Sequence, residues 1–503
     1  MDETHHLRAQ REAKLDAFRQ SGVDPYVHRF PTTTVLSALV RKFEDRAAED
    51  LEDQKENPQI VAGRLMGKRR QGGISFGDLR DGTGRVQIVA EKNVLGEAGY
   101  TFFQKLDVGD FVGVKGEVFK TRAGELSVRV RELTLLSKSL RPLPEKWHGL
   151  RDVETRYRQR YLDLVMNREV KEVFHKRTRI VQALRDGLNA RDFLEVETPM
   201  MQPIAGGATA RPFVTHHYTF DMPLYLRVAP ELYLKRLIVG GFDRVYEMNR
   251  SFRNEGVSTE HNPEFTMLEF YMAYADYQDM MGLVEALLVE TVQTVLGSLH
   301  LPWREETLDF TPPWRRLSLM EALETFGGIS PREAAQEDSA RAFALAHDVQ
   351  ISPQDSRAKI LHQILETRVE PALLQPTFLF DYPLEISPLA KSKPGERETA
   401  ERFELFIGGK EIANAYTELN DPVDQRARFD EQVGLREGGD PEAQMMDLDY
   451  IRALEYGMPP TAGAGIGVDR LVMILTQSPS IRDVILFPQL RREGAPGDGH
   501  KEG

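Results

Sequence analysis

Three segments of the sequence place charged, aromatic and glycine residues at spacings that could handle phosphates and carboxylates. The first runs Phe252-Arg253-Asn254-Glu255, then a short loop, then His261-Asn262-Pro263-Glu264-Phe265. Its flanks, VYEMNRSFR and FTMLEFYMAY, read as the two strands of a hairpin. Side chains two apart in a strand share a face, so Arg253 goes with Glu255, and Phe265 goes with Met267, Glu269 and Tyr271. An arginine can grip a phosphate bidentately and a phenylalanine can stack on a purine, so this face could floor a nucleotide. Taken alone, the Arg–Glu pair fits a solvated ion-pair face better.

The second segment is Gly463-Ala464-Gly465-Ile466-Gly467-Val468-Asp469-Arg470. Its glycines let the backbone approach a ligand closely. Asp469 is expected to cap a helix starting at Arg470, with Leu471, Ile474 and Leu475 on the core face. Arg470 then stands at the edge of a glycine-lined floor. The run does not follow a parallel strand of a βαβ unit, which argues against a dinucleotide-binding fold. The third segment spans Phe403 to Glu418. A two-residue turn at Gly408-Gly409 sets Phe406 opposite Glu411 and Glu404 diagonal to it, with Cβ atoms roughly 7 Å apart. Two such carboxylates could share Mg²⁺ with a triphosphate, or they could be plain solvated edge residues. Strict alternation puts Asn414 and Glu418 on the face opposite Glu411. One pocket for all four therefore requires a bulge near Ile412 or Ala413.

The elements that would position these segments follow from length and pattern. The chain has 503 residues, too many for one ordinary core, and 41% are apolar. The formal net charge of -13 argues against a nucleic-acid partner, but residues 1–150 carry 25 Lys+Arg against 22 Asp+Glu. There are no cysteines, so disulfides and thiolate metal sites are excluded. No signal-like core or uncharged apolar span is present, so no membrane association and a cytoplasmic location are expected. Residues 3–20 and 36–56 read as polar helices ended by Asp24-Pro25 and Asn57-Pro58. Residues 59–138 hold short β-rich runs separated by turns such as Asp81-Gly82, which suggests a small OB-like barrel or a barrel without a ligand. The expected divisions are a helical segment 1–57, an OB-fold 58–140 and a linker 141–156. They continue with an antiparallel-rich α+β domain 157–490, holding a helical insertion near 330–375, and a disordered tail 491–503.

In order and behind an OB-like region, the three segments resemble the signature motifs of the class II aminoacyl-tRNA synthetases. FLEVETPMMQP (193–203) looks like the first of those motifs, whose proline, here Pro199, sits at a dimer interface. RYRQRYLDL, GGATARPF, APELYLKRL, FRNEGVSTEHNPEFTMLEFYMAYAD, NAYTELND and LEYGMPPTAGAGIGVDR are similar to the bacterial lysyl branch of that family. The resemblance implies ATP and L-lysine as substrates, Mg²⁺ as cofactor, tRNA(Lys) as acceptor and a homodimer. It also implies roles: Arg253 on the α-phosphate and the substrate carboxylate, His261 on the terminal phosphates, and Phe265 with Arg470 around adenine. Glu255 and Asn262 belong to the same ATP site, and Glu404 and Glu411 would bind Mg²⁺. Gly206, Gly207 and Glu231 would receive the α-amine, with Asn414 near the carboxylate. Glu269, Tyr271, Tyr416 and Glu418 would surround the side-chain ammonium. A cationic side chain needs a buried anion, whereas the sibling aspartyl enzymes place an arginine where this chain has Glu418. In the barrel, Phe76, Gln87 and Glu125, with Arg64 as a phosphate or base contact, match the anticodon readers. Alternatives are a relative that lysylates a protein and a non-catalytic RNA-binding paralogue. The first would lack the anticodon domain, and the second would have lost motif residues such as Arg253 and Glu411.

Overall fold

The computed structural model describes residues 3–51, 58–144, 150–440 and 442–491. The chain forms two compact units, Met1–Arg151 and Asp152–Gly503. In the first, the helix Glu3–Gln20 stops just before Gly22, which takes φ +78, so the glycine ends it ahead of Asp24-Pro25. The second helix is only Leu36–Phe43. The expected continuation toward residue 56 fails because Glu44–Asp50 offers no further apolar face to the barrel, and a short helix needs such packing. Residues 52–57 lie outside the described residues.

Five strands, Gln59–Gln71, Ile74–Arg80, Arg85–Glu91, Phe111–Lys120 and Leu126–Ser137, close into a barrel in the order first, second, third, fifth, fourth. The third and fifth run parallel and the remaining pairs antiparallel. Val61, Leu65, Leu79, Ile88, Val112, Val114, Val128 and Val130 fill the interior. A helix that the turn signals did not mark, Lys92–Lys105, packs Tyr100 and Phe103 on that core.

The second unit is built on a nine-stranded sheet. Its central strands are Glu396–Phe406, Glu411–Thr417, Thr461–Gly467, Glu264–Ala273 and Arg244–Phe252, each antiparallel to the next. Parallel pairs occur only toward the edges. One face is apolar: Leu268, Phe270, Ala464, Ile466, Ala413, Ala415, Phe403 and Leu405 pack on the helices Arg168–Asn189, Tyr277–Leu296 and Val468–Thr476. The residues between them, including Met267, Glu269, Tyr271, Gly463, Gly465, Glu404 and Asn414, face a cavity. The insertion holds the helices Pro331–Ala334, Glu337–Ala346 and Arg357–Ile364 around Phe343, Ile360, Leu361 and Ile364. Val153–Arg158, in the stretch expected to be linker, is a helix capped by Asp152. The tail beyond Arg491 lies outside the described residues.

Asp469 is not the cap expected of it. The helix after the glycine strand starts at Val468, with Gly467 before it. Asp469 lies inside the first turn and is 2% exposed. Its Oδ2 accepts the Thr266 backbone N–H at 2.7 Å, and its Oδ1 lies 2.6 Å from Arg177 Nη1. This carboxylate therefore ties the glycine strand's helix to its neighbouring strand and to the helix Arg168–Asn189. Removing one partner of a buried pair costs about 3–5 kcal/mol. Asp469→Ala is expected to lower the urea midpoint of the second unit accordingly, and an unchanged midpoint would refute the tie.

Candidate active site

Arg253 leaves the end of the strand Arg244–Phe252, and Glu255 follows it in the loop rather than continuing the strand. Both still face the cavity, which has a volume of about 800 Å³. The backbone of Arg253 is held where its N–H donates to the Pro263 carbonyl across the hairpin at 2.9 Å. Its guanidinium lies 5.2 Å over the Phe265 ring. Its Nε is buried and has no partner in the protein, so the group is aimed at something the cavity must supply. Burial lowers its pKa against the pull of Glu255 and Glu411.

Arg470 donates from Nη1 to Glu411 Oε2 at 3.0 Å, and its Nη2 lies 3.3 Å from His261 Nε2. Burial and Arg470 hold His261 below its usual pKa. The Asn262 amide donates to the Glu264 carbonyl at 2.6 Å and accepts from the Gln489 N–H at 3.1 Å, which fixes the hairpin loop. The turn at Gly408-Gly409 forms with both glycines at positive φ, 64 and 73. Phe406 pairs with Glu411 and Leu405 with Ala413, so Ile412 is the extra residue of a bulge. That bulge turns Glu411 onto the face of Asn414, Tyr416 and Glu418, and all four line the cavity with Glu404. Arg402 Nη2 donates to Glu404 Oε1 at 2.6 Å, and the Tyr382 hydroxyl donates to Oε2 at 2.8 Å. Glu370, which sequence patterning did not single out, accepts from the Glu411 N–H. Burial, then the charges of Glu411 and Glu404, push its pKa up to about 7. These crowded carboxylates fit a divalent cation. Among the described residues no group of three His, Asp or Glu side chains is placed to hold a metal ion by itself.

The opposite end is a pocket of buried anions. Glu418 is 1% exposed, and its Oε1 has no hydrogen-bond partner. Its Oε2 lies 2.6 Å from Lys235 Nζ, which also donates to Glu231 Oε1 at 2.7 Å. Glu231 Oε2 accepts from the Tyr416 hydroxyl at 2.6 Å, and Glu269 Oε2 from the Tyr271 hydroxyl at 3.2 Å. Burial and Glu231 push Glu269 up to about 8, and burial likewise raises Glu418 despite Lys235. Gly463 is obligatory here: a Cβ would sit 2.2 Å from Glu418 Oε1 and 2.3 Å from the Tyr271 ring. Gly207, at φ +91, packs beside Glu231 and lines the cavity, whereas Gly206 abuts Leu232 and does not. Lys235 escaped the sequence reading, although its place four residues after Glu231 on the helix Glu231–Val239 was the available signal. Arg402, two before Glu404 on one strand face, was legible in the same way.

In the barrel, Ser75, Gly77 and Leu79 point inward, so Phe76 is on the outer face, with the Arg69 guanidinium 4.7 Å from its ring centre. Phe76 pairs with Val89 and Asp78 with Gln87, which places Gln87 diagonal to Phe76 on the same face. Gln87 Nε2 donates to Glu125 Oε2 at 2.6 Å. Arg64 is not in this group. It pairs with Arg80, four residues from Phe76 and about 13 Å along the strand. Its guanidinium lies 4.2 Å over Phe111, and its Nη1 donates to the Gly109 carbonyl.

The family model described as tRNA synthetases class II (D, K and N) matches residues 152–491, and the one described as OB-fold nucleic acid binding domain matches 60–136. The lysine–tRNA ligase of Moorella thermoacetica is 52% identical over 98% of this chain and 99% of its own. That of Pelotomaculum thermopropionicum is 52% identical over 97% of this chain and 96% of its own. That of Bacillus subtilis is 50% identical over 96% of each.

Glu269 has a folded-state pKa near 8 against an ordinary 4.5, so its protonated form stabilises the ligand-free fold. That contribution is complete below about pH 4.5 and is lost as pH rises toward 8. Glu269→Gln is expected to lose less thermal stability than the native chain over this window. Parallel melting-temperature profiles for the two proteins would contradict a carboxyl group raised by burial.

Proposed function

We propose, for a chain that belongs to the class II tRNA synthetases (D, K and N), that it activates L-lysine with ATP and loads it onto tRNA(Lys). The observation that carries this reading is the free, buried Glu418 Oε1 at the anionic end of a cavity whose other end presents Arg253. A ligand that satisfies both must bring an ammonium to one end and an anion to the other. A lysine and an ATP lying head to tail do so.

In the proposed first step the lysine carboxylate attacks the α-phosphorus of ATP. A carboxylate–phosphorus bond forms, the bond from Pα to the bridging oxygen breaks, and pyrophosphate leaves with its electrons. Arg253 meets the α-phosphate and the attacking carboxylate and neutralises charge that grows on the equatorial oxygens. Phe265 and Arg470 hold the adenine between them, while Glu255 and Asn262 orient the nucleotide. His261 meets the terminal phosphates. Glu404 and Glu411 would hold Mg²⁺, which supplies charge neutralisation on the departing pyrophosphate. Glu231 and Gly207 receive the α-amine, Asn414 lies by the carboxylate, and Glu269, Tyr271, Tyr416 and Glu418 enclose the side-chain ammonium. In the second step a terminal ribose hydroxyl of tRNA attacks the carbonyl of the adenylate, an ester bond forms, the bond from that carbon to the phosphate oxygen breaks, and AMP leaves as the hydroxyl proton is released. Catalysis is positioning, so no side chain serves as a nucleophile.

Phe76, Gln87 and Glu125 on the outer barrel face would take the anticodon, with Arg69 backing the stacking ring. Arg64, spent on Gly109 and Phe111, is a weaker candidate. The segment around Pro199 exposes Leu194, Met200 and Met201, and Val214 is exposed on the adjoining three-stranded sheet. Such apolar exposure fits a homodimer contact there. Among the described residues no helix is long and apolar enough to cross a membrane. The proposed reaction is one of the cytoplasm.

ATP–pyrophosphate exchange across the twenty amino acids tests the assignment. Lysine should support the fastest exchange, and a clear preference for another amino acid would overturn it. Arg253→Ala should lower lysine-dependent exchange by about 10²-fold or more, and near-native exchange in the folded variant would remove that role. Gly463→Ala should raise the KM for lysine while leaving that for ATP unchanged, because its methyl group would occupy the space of Glu418 Oε1. Phe76→Ala should weaken tRNA binding by about 1–3 kcal/mol with exchange intact. An unchanged tRNA KM would sink the stacking role.

A further inference from the structure

Lys235 is 0% exposed and does not line the cavity. It stands behind the wall, with Nζ 2.7 Å from Glu231 Oε1 and 2.6 Å from Glu418 Oε2. The aromatic rings of Tyr416 and Tyr450 lie 6.0 and 5.6 Å from the same nitrogen. One ammonium thus holds one oxygen of each of two carboxylates. The second oxygen of Glu418 is left without a partner, and the second oxygen of Glu231 takes the Tyr416 hydroxyl.

This arrangement has two consequences. Glu231 and Glu418 come from a helix and a distant strand end, and the shared ammonium bonds both carboxylates directly, while the Tyr416 hydroxyl ties Glu231 to the strand that leads to Glu418. Lys235 also supplies a positive charge beside Glu231 and Glu418, which favours the ionised form of Glu418 against its burial.

Resting on the lysine reading of this cavity, we propose that Lys235 is a specificity-determining positioning residue that fixes the spacing and ionisation of the two carboxylates meeting the substrate's two amines. It touches no substrate. It acts as a fixed internal counter-ion, and the distance it sets between Glu231 and Glu418 selects the length of a diamino acid. Loss of its charge leaves two buried carboxylates facing each other, beside Glu269 and the hydroxyls of Tyr271, Tyr416 and Tyr450. Carboxylates so placed take up a proton and stop attracting an ammonium. Glu418 already titrates high with Lys235 present, and without it the titration moves higher still.

The experiment compares the native enzyme with Lys235→Met and Lys235→Arg by exchange kinetics, with lysine and with ornithine, one methylene shorter, from pH 6.5 to 9. Lys235→Met should raise the KM for lysine tenfold or more at pH 7, with kcat at saturating lysine and the KM for ATP within threefold of native. Its KM should fall with rising pH along a curve displaced upward by about one pH unit from native. Lys235→Arg keeps the charge but changes the spacing. It should keep the native pH midpoint and shift the lysine-to-ornithine ratio of kcat/KM at least fivefold. This variant carries the test if the methionine protein does not fold. A native lysine KM and pH curve in Lys235→Met, or a native selectivity ratio in Lys235→Arg, overturns the role of Lys235 alone. Absence of lysine-dependent exchange in the native enzyme overturns the reading of the cavity itself.

Discussion

A carboxylate taken out of water must be compensated by charge or hydrogen bonds, or it will not stay ionised. The second unit is arranged around that constraint. Glu231, Glu247, Glu269, Glu404 and Glu418 are all nearly inaccessible. Arg227 compensates Glu247 at 2.6 Å, Arg402 compensates Glu404, and Lys235 compensates Glu231 and Glu418 together. Glu269 has only a tyrosine hydroxyl and no cation of its own, and burial pushes it up to about 8. At this end of the cavity the carboxyl groups outnumber the cations.

The sheet makes this electrostatic arrangement possible by separating two environments across one strand thickness. Alternate residues of five adjacent strands enter either the helix-packed core or the cavity. Glycines at 463, 465 and 467 keep the cavity side free of side chains, while Ala462, Ala464 and Ile466 fill the other side. The single bulge at Ile412 lets one strand contribute Glu411 and Glu418 to the same cavity. Without it Glu411 and Glu418 would face opposite sides of the sheet.

The barrel uses the same alternation with a different payload. Its inward residues form a closed aliphatic core, and its outward face carries an aromatic ring flanked by an arginine, beside a glutamine joined to a glutamate. Residues 1–150 carry a net positive balance within a chain whose total charge is negative.

Much of this was legible in the residues. Strand period and turn chemistry located the barrel, the Arg253 hairpin and the Gly408-Gly409 turn, because those signals are local. They also showed that Glu411 and Glu418 could share a pocket only through a bulge. The helix toward residue 56 and the capping role of Asp469 misled, since packing partners decide where a short helix ends and what a buried carboxylate bonds. Arg64 was grouped with the barrel readers, but its strand position sets it apart from them. The sequence by itself determined which charges exist and which strand face each occupies, because backbone geometry alone sets that alternation. Only the tertiary structure decided that Lys235 meets Glu418 across 183 positions of chain and that Arg253 Nε is buried without a hydrogen-bond partner. Such pairings arise when distant elements pack and water is excluded between them, and no local pattern encodes which buried charge will find a counter-ion.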